Sequence, residues 1–146
     1  MPETALLTDF AAIQPGDRAA IVKRFGEEDV AAFAALSGDY NPLHMESEFA
    51  ERTRFGRRVV HGMLVASYVS TLVGMRLPGA GALWMQQNFR WRNPVFLGDT
   101  VEFALEVTQK SPGARLLVFR ISATNQNGQA VMDGDGAVHI PVVATL

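Results

Sequence analysis

The sequence predicts an α+β fold in which an antiparallel β-sheet wraps around one long buried α-helix. Three observations lead there. From Val59 to Met75 apolar residues fall on every side of a helical wheel, the mark of a helix surrounded by protein. After Pro78-Gly79 the period changes from helical to alternating and stays so through four runs. Turn signals punctuate those runs: Pro112-Gly113, then Asn127-Gly128, which favours a two-residue type I′ hairpin. One apolar helix and one antiparallel meander bury their faces most simply against each other.

Taken in order, Ala19–Phe25 follows the Pro15-Gly16-Asp17 turn and reads as a first strand. Glu27, Glu28 and Asp29 suit a helix N-terminus, because acids there complement the helix dipole. Val30, Phe33, Ala34 and Leu36 continue at helical spacing until Gly38 stops the helix. Asn41-Pro42 marks 39–44 as loop, and Glu46–Arg52 suits a short helix. Within the Val59–Met75 helix, Gly62, Ala66, Ser70 and Gly74 recur every fourth residue. That stripe of small side chains would admit another backbone or a slender ligand. Met85, Gln87, Phe89 and Trp91 share one face of the next element. Val101, Phe103, Leu105 and Val107 give the clearest alternation, followed by Leu117, Phe119 and Ile121. Met132, Val138, Ile140 and Val142 share a last face opposite Asp133, Asp135 and His139.

The 146 residues are 48% apolar and 19% charged, with no repeat, linker or biased tract, so residues 1–146 are expected to form a single domain. Without cysteine, disulfides and thiolate metal sites are excluded. A net charge of -2 and a pI near 5.9 argue against a nucleic-acid partner. The Val59–Met75 stretch is interrupted by His61, Ser67, Ser70 and Thr71 and is short for a bilayer, so no membrane span is expected. The first 20 residues lack a basic start and apolar core, and the expected location is cytoplasmic.

Chemistry concentrates in Asp39-Tyr40-Asn41-Pro42-Leu43-His44. A carboxylate and an imidazole five residues apart on a kinked segment are able to face one small substrate as proton-transfer groups. On spacing alone, an aspartate that caps a turn and a solvated histidine explain the same residues. The surroundings add a resemblance. Ser37 to His44, then Phe55-Gly56-Arg57, Val60-His61-Gly62-Met63 and Pro94-Val95-Phe96-Leu97-Gly98-Asp99, resemble the MaoC-type hot-dog-fold hydratases and dehydratases, most of all the (R)-specific enoyl-CoA hydratases. The resemblance runs from about Phe25 to Val142.

That resemblance implies a hot-dog fold, a homodimer, and syn addition of water to a trans-2-enoyl-CoA to give the (R)-3-hydroxyacyl-CoA. It implies that Asp39 and His44 are catalytic, with Asn41 and Ser70 in support. The simplest allocation has Asp39 as base and His44 as the acid that protonates C2, although both groups are able to work on one water. It places the thioester carbonyl at the Gly62 N–H, where a helix N-terminus favours the charge of an oxyanion; a glycine needed for close packing is the alternative. Arg52, Arg54, Arg57 and Arg58 crowd seven residues, and Arg57 and Arg58 are the expected phosphate contacts, unless the cluster is a solvated basic face. Arg58 departs from the family, which usually has proline there. No cofactor is expected beyond the coenzyme A of the substrate. His44, His61 and His139 lack metal-ligand spacing, and no metal is expected. The alternatives are a (3R)-hydroxyacyl-carrier-protein dehydratase, a hot-dog acyl-CoA thioesterase, and a non-catalytic acyl-binding subunit.

Overall fold

The computed structural model describes residues 3–6 and 9–142. Its sheet has six antiparallel strands: β1 (Arg18–Arg24), β2 (Leu83–Gln87), β3 (Arg90–Trp91), β4 (Thr100–Ser111), β5 (Leu116–Asn125) and β6 (Ala130–His139). The order is β1-β4-β5-β6-β2, with β3 also paired to β6. The helices are α1 (Glu27–Ser37), α2 (Pro42–Met45), α3 (Ser47–Glu51) and α4 (Gly62–Thr71). Val65, Val69, Leu72 and Val73 from α4 and its extension pack with Phe103, Leu105, Phe119 and Ile121 of the sheet in one apolar core. This is the helix wrapped by an antiparallel sheet that the periodicities predict.

The ends of the elements show where local chemistry decides. Acidic residues open α1, and Gly38 closes it in the left-handed region at φ 79°, its N–H donating to Ala34. The first strand is one residue earlier than expected, because the Phe25 N–H leaves the strand to donate to Asp99 O. The central helix is shorter than the apolar run. Val59 and Val60 are extended, Val59 bridging Phe96 and the Val60 N–H donating to Val95 O at 2.7 Å, so α4 begins at Gly62. From Leu72 to Arg76 the helix widens into a π-turn that the Leu77 N–H closes onto Leu72 O at 2.8 Å.

Five expectations are corrected. Residues 42–45 are not loop but a single helical turn, because Pro42 at its start needs no N–H acceptor and the Asn41 side chain caps it. The central helix is not covered on all sides: Met63, Ser67 and Ser70 form an exposed face within one chain. A bulge between Trp84 and Gln86, followed by the gap between β2 and β3, breaks the alternation from Met85 to Trp91, leaving Met85 60% exposed. The Asn127-Gly128 turn is a three-residue connection, since the Asn125 N–H meets Gln129 O, and Gly128 takes the left-handed position at φ 75° while Asn127 does not. Val142 lies past the end of β6 and is exposed, whereas Ile140, just past His139, stays buried.

Candidate active site

The Gly38 stop releases the chain into the turn that carries Asp39. Asp39 Oδ1 accepts the Asn41 N–H at 3.1 Å, and Asn41 Oδ1 accepts the Leu43 N–H at 3.0 Å. These two side-chain caps set the pitch of α2, which presents His44 from its third position. Asn41 is therefore the N-cap of α2. One ligand-type atom each from Asp39, His44 and His61 lies within 4.8 Å of the other two. Two acceptors sharing one tetrahedral water at ordinary hydrogen-bond lengths stand about 4.6 Å apart. The Asp39 carboxylate and the His44 ring are thus close enough to act on one small molecule.

The tautomer of His44 follows from its partner. Nδ1 lies 2.7 Å from Val59 O, and a carbonyl only accepts, so Nδ1 carries the proton and Nε2 presents a lone pair. Partial burial pushes the His44 pKa below its ordinary 6.5, against the hydrogen bond to Val59, which favours the charged ring. In this form His44 accepts at Nε2 rather than donating.

His61, N-cap of α4, is 1% exposed. Its Nε2 donates to the Asp39 carbonyl at 2.9 Å, and its ring lies 4.1 Å from that of His44 with 32° between the planes. Each histidine thus commits one nitrogen to a carbonyl. The two rings are tilted against each other, and the nitrogens left over are His44 Nε2 and His61 Nδ1.

Beside His44 opens a cleft of about 240 Å³ walled by Phe55, Val60, Gly62, Val65, Trp91 and Val95, with Arg54 also at its lining. Gly62 is the first residue of α4, and among the described residues its N–H meets no acceptor. Its carbonyl accepts the Trp91 indole N–H at 2.9 Å. A Cβ on Gly62 would stand 3.0 Å from that indole nitrogen, so glycine is also the residue that packing requires. The oxyanion and packing readings of Gly62 are compatible, and both have a physical basis here.

The other expected residues fall elsewhere. Ser70 is exposed and two turns along α4, about 12 Å from Gly62 by helical rise, so it lies away from the cleft. Gly74 has nothing within 4 Å of an added Cβ, so the far end of the small-residue stripe is not packed against the sheet. Arg57 lies over the Phe96 ring at 3.9 Å. Arg58 is bound to Glu27 and to the His44 carbonyl. Neither lines the cleft; of the basic cluster Arg54 does. The Asp99 carboxylate closes its own turn, accepting the Phe96 N–H and the Gln126 amide, so the Gly98-Asp99 pair is structural. Trp91 and the buried role of His61 are the residues that spacing did not single out. Trp91 reads as one more apolar strand position, and His61 as a member of a metal set that has no spacing.

Residues 9–127 match the family described as the MaoC like domain. The chain belongs to the MaoC-like family. It is 41% identical to the (R)-specific enoyl-CoA hydratase of Aeromonas caviae over 129 residues, covering 88% of this chain and 96% of the relative. It is 37% identical to the 3-hydroxybutyryl-CoA dehydratase of Methylorubrum extorquens, covering 97% of this chain and 88% of that one. The solved (R)-hydratase of Aeromonas caviae superposes with a TM-score of 0.86 over 89% of this chain and 98% of that chain. The architecture of this MaoC-like chain is therefore the hot-dog fold of the R-hydratases.

Proposed function

We propose that this MaoC-like protein is a hydro-lyase that adds water to trans-2-enoyl-CoA, giving (R)-3-hydroxyacyl-CoA, and catalyses the reverse dehydration. The observation that carries this reading is that Asp39 and His44 bring ligand atoms within 4.8 Å of each other, with His44 lining a cleft walled largely by apolar side chains. The thioester oxygen lies at the Gly62 N–H, where the α4 dipole stabilises the charge that gathers on it as the enoyl group accepts water. The Asp39 carboxylate accepts one O–H of the water and fixes its orientation. The Nε2 of His44 takes the other proton as the oxygen bonds to C3. The imidazolium then returns that proton to C2 from the same face, which gives syn addition and restores His44. This places His44 as the base first and the acid second, with Asp39 as orienting acceptor, in place of the simpler division with Asp39 as base. Positioned proton transfer of this kind contributes about 10²- to 10⁴-fold.

No resident cofactor enters these steps; coenzyme A belongs to the substrate, and Arg54 is the cation best placed for its phosphates. The working unit is a homodimer. Leu83 and Met85, on edge strand β2, are 54% and 60% exposed, and Met63 of α4 is 56% exposed, a pattern that pairing across the edge would cover.

The test follows loss of the conjugated enoyl absorbance of crotonyl-CoA, with chiral analysis of the product. Formation of the (R)-3-hydroxy product supports the reading. Release of free thiol without hydration identifies a thioesterase instead. A relative named as a mitochondrial 3-hydroxyacyl-[acyl-carrier-protein] dehydratase from Arabidopsis thaliana is 30% identical over 88% of this chain, so crotonyl-carrier-protein is run beside crotonyl-CoA. Faster turnover of the carrier-bound substrate selects the dehydratase alternative.

A further inference from the structure

We propose that His61 is the positioning residue of this site: a single buried ring that fixes the main chain of Asp39 relative to the imidazole of His44. The inference rests on the hydratase reading only for its kinetic arm.

His61 touches both halves of the pair by different interactions. Toward Asp39 it gives a directional bond, Nε2–H to the carbonyl at 2.9 Å, anchoring the turn from which the carboxylate projects. Toward His44 it gives a face, with ring centroids 4.1 Å apart. Phe33 of α1 packs on His61 at 4.8 Å, and at 1% exposure the ring has little room to move. No described group accepts from or donates to Nδ1. A proton there would be a buried donor without an acceptor, so the ring is held as the Nε2–H tautomer with Nδ1 bare. A leucine or phenylalanine fills such a space without leaving a polar atom unpaired. The bond to Asp39 is what histidine adds, and a displacement of about 1 Å in a reacting group costs roughly 10²-fold in rate.

Two measurements decide it. Long-range nitrogen–proton NMR of the three histidines, assigned through His44→Asn and His139→Asn, reads the tautomer in the intact protein. A bare Nδ1 on His61 is expected; an Nδ1-protonated or doubly protonated ring overturns the proposal. Kinetics on crotonyl-CoA then compare three variants. His61→Phe keeps an aromatic ring against His44 and loses the donor; kcat should fall about 10- to 100-fold with KM within about threefold of wild type. His61→Gln places an amide N–H near the lost Nε2 and should recover at least about fivefold over His61→Phe. A folded His61→Phe variant with wild-type kcat overturns the proposal, as does a folded His61→Gln variant no faster than it. Should His61→Phe fail to fold, His61→Asn replaces it, since its shorter amide cannot reach Asp39; equal rates for the Gln and Asn variants also overturn it. Wild-type protein inert toward crotonyl-CoA refutes the hydratase reading, and the NMR result still decides the role of His61.

Discussion

The Arg58 guanidinium donates from Nε to the main-chain carbonyl of His44 at 2.6 Å. Its two terminal nitrogens fork onto the Glu27 carboxylate at 2.8 and 2.9 Å. One side chain therefore ties the start of α1 to a carbonyl of α2 that the short helix leaves without an internal partner. Arg58 thus holds the His44 turn from outside α2.

Arg58→Ala should cost about 1–2 kcal/mol, mostly from the unpaired carbonyl, because Glu27 is largely exposed and the ion pair is screened by water. A domain of this size then melts roughly 2–8 °C lower. Glu27→Gln should lower the melting temperature by a much smaller amount. Equal melting temperatures for wild type and Arg58→Ala would show that the turn does not depend on the clamp.

The pH dependence follows from the direction of the His44 shift. Its folded pKa lies below 6.5, because desolvation disfavours the charged ring. The base form thus persists as pH falls past 6.5. The acid limb of kcat/KM on crotonyl-CoA should have its half-point below 6.5, and a half-point above it would remove His44 as base. Stability carries the same sign. Below 6.5 the unfolded chain takes up a proton at this residue that the fold resists, so the His44 contribution is present above that pH and is lost as pH falls through the folded value. His44→Asn, which keeps an amide donor for Val59, should flatten that part of the melting-temperature profile and cut hydration by at least about 10²-fold.

The edge of the sheet sets the assembly prediction. Sedimentation at micromolar concentration should show a species near twice 15.9 kDa. Met85→Lys puts a charge on the exposed edge strand and should shift the protein toward monomer. A wild-type protein that sediments as monomer while fully active would show that one chain carries the whole site.

Much of this architecture was legible because period and punctuation agree. Val101 to Val107 alternate and are buried as the alternation says, and Gly38 stops α1 where its left-handed conformation is needed. The pair Asp39 and His44 was legible from its motif, with the turn chemistry of Asn41 beside it. What spacing could not reveal are contacts made across the fold. Val59 and Val60 fit a helical wheel, yet Phe96 and Val95 draw them into extended pairing. Arg58 reads as one of four neighbouring arginines, and Glu27, 31 residues earlier, turns it into a structural clamp. His61 lies 22 residues from the carbonyl it holds.

The contact between Gly62 and Trp91 separates two explanations of one glycine. Alanine at residue 62 keeps the N–H proposed for the thioester oxygen, but its Cβ would stand 3.0 Å from the Trp91 indole nitrogen and 3.1 Å from the adjoining ring carbon. Trp91 is 48% exposed, so the ring is able to swing away at little cost in stability. It would then lose its bond to the Gly62 carbonyl and deform the cleft wall. Gly62→Ala should therefore lower kcat/KM for crotonyl-CoA by about 10-fold, alter tryptophan fluorescence, and leave the melting temperature within a few degrees (roughly 1 kcal/mol) of wild type. The cycle with Trp91→Ala distinguishes the causes. If the clash with Trp91 carries the loss, Gly62→Ala should cost less than about twofold once the indole is absent. An equal loss in both backgrounds would place the cost in the oxyanion pocket itself, where the methyl group obstructs the carbonyl rather than the wall.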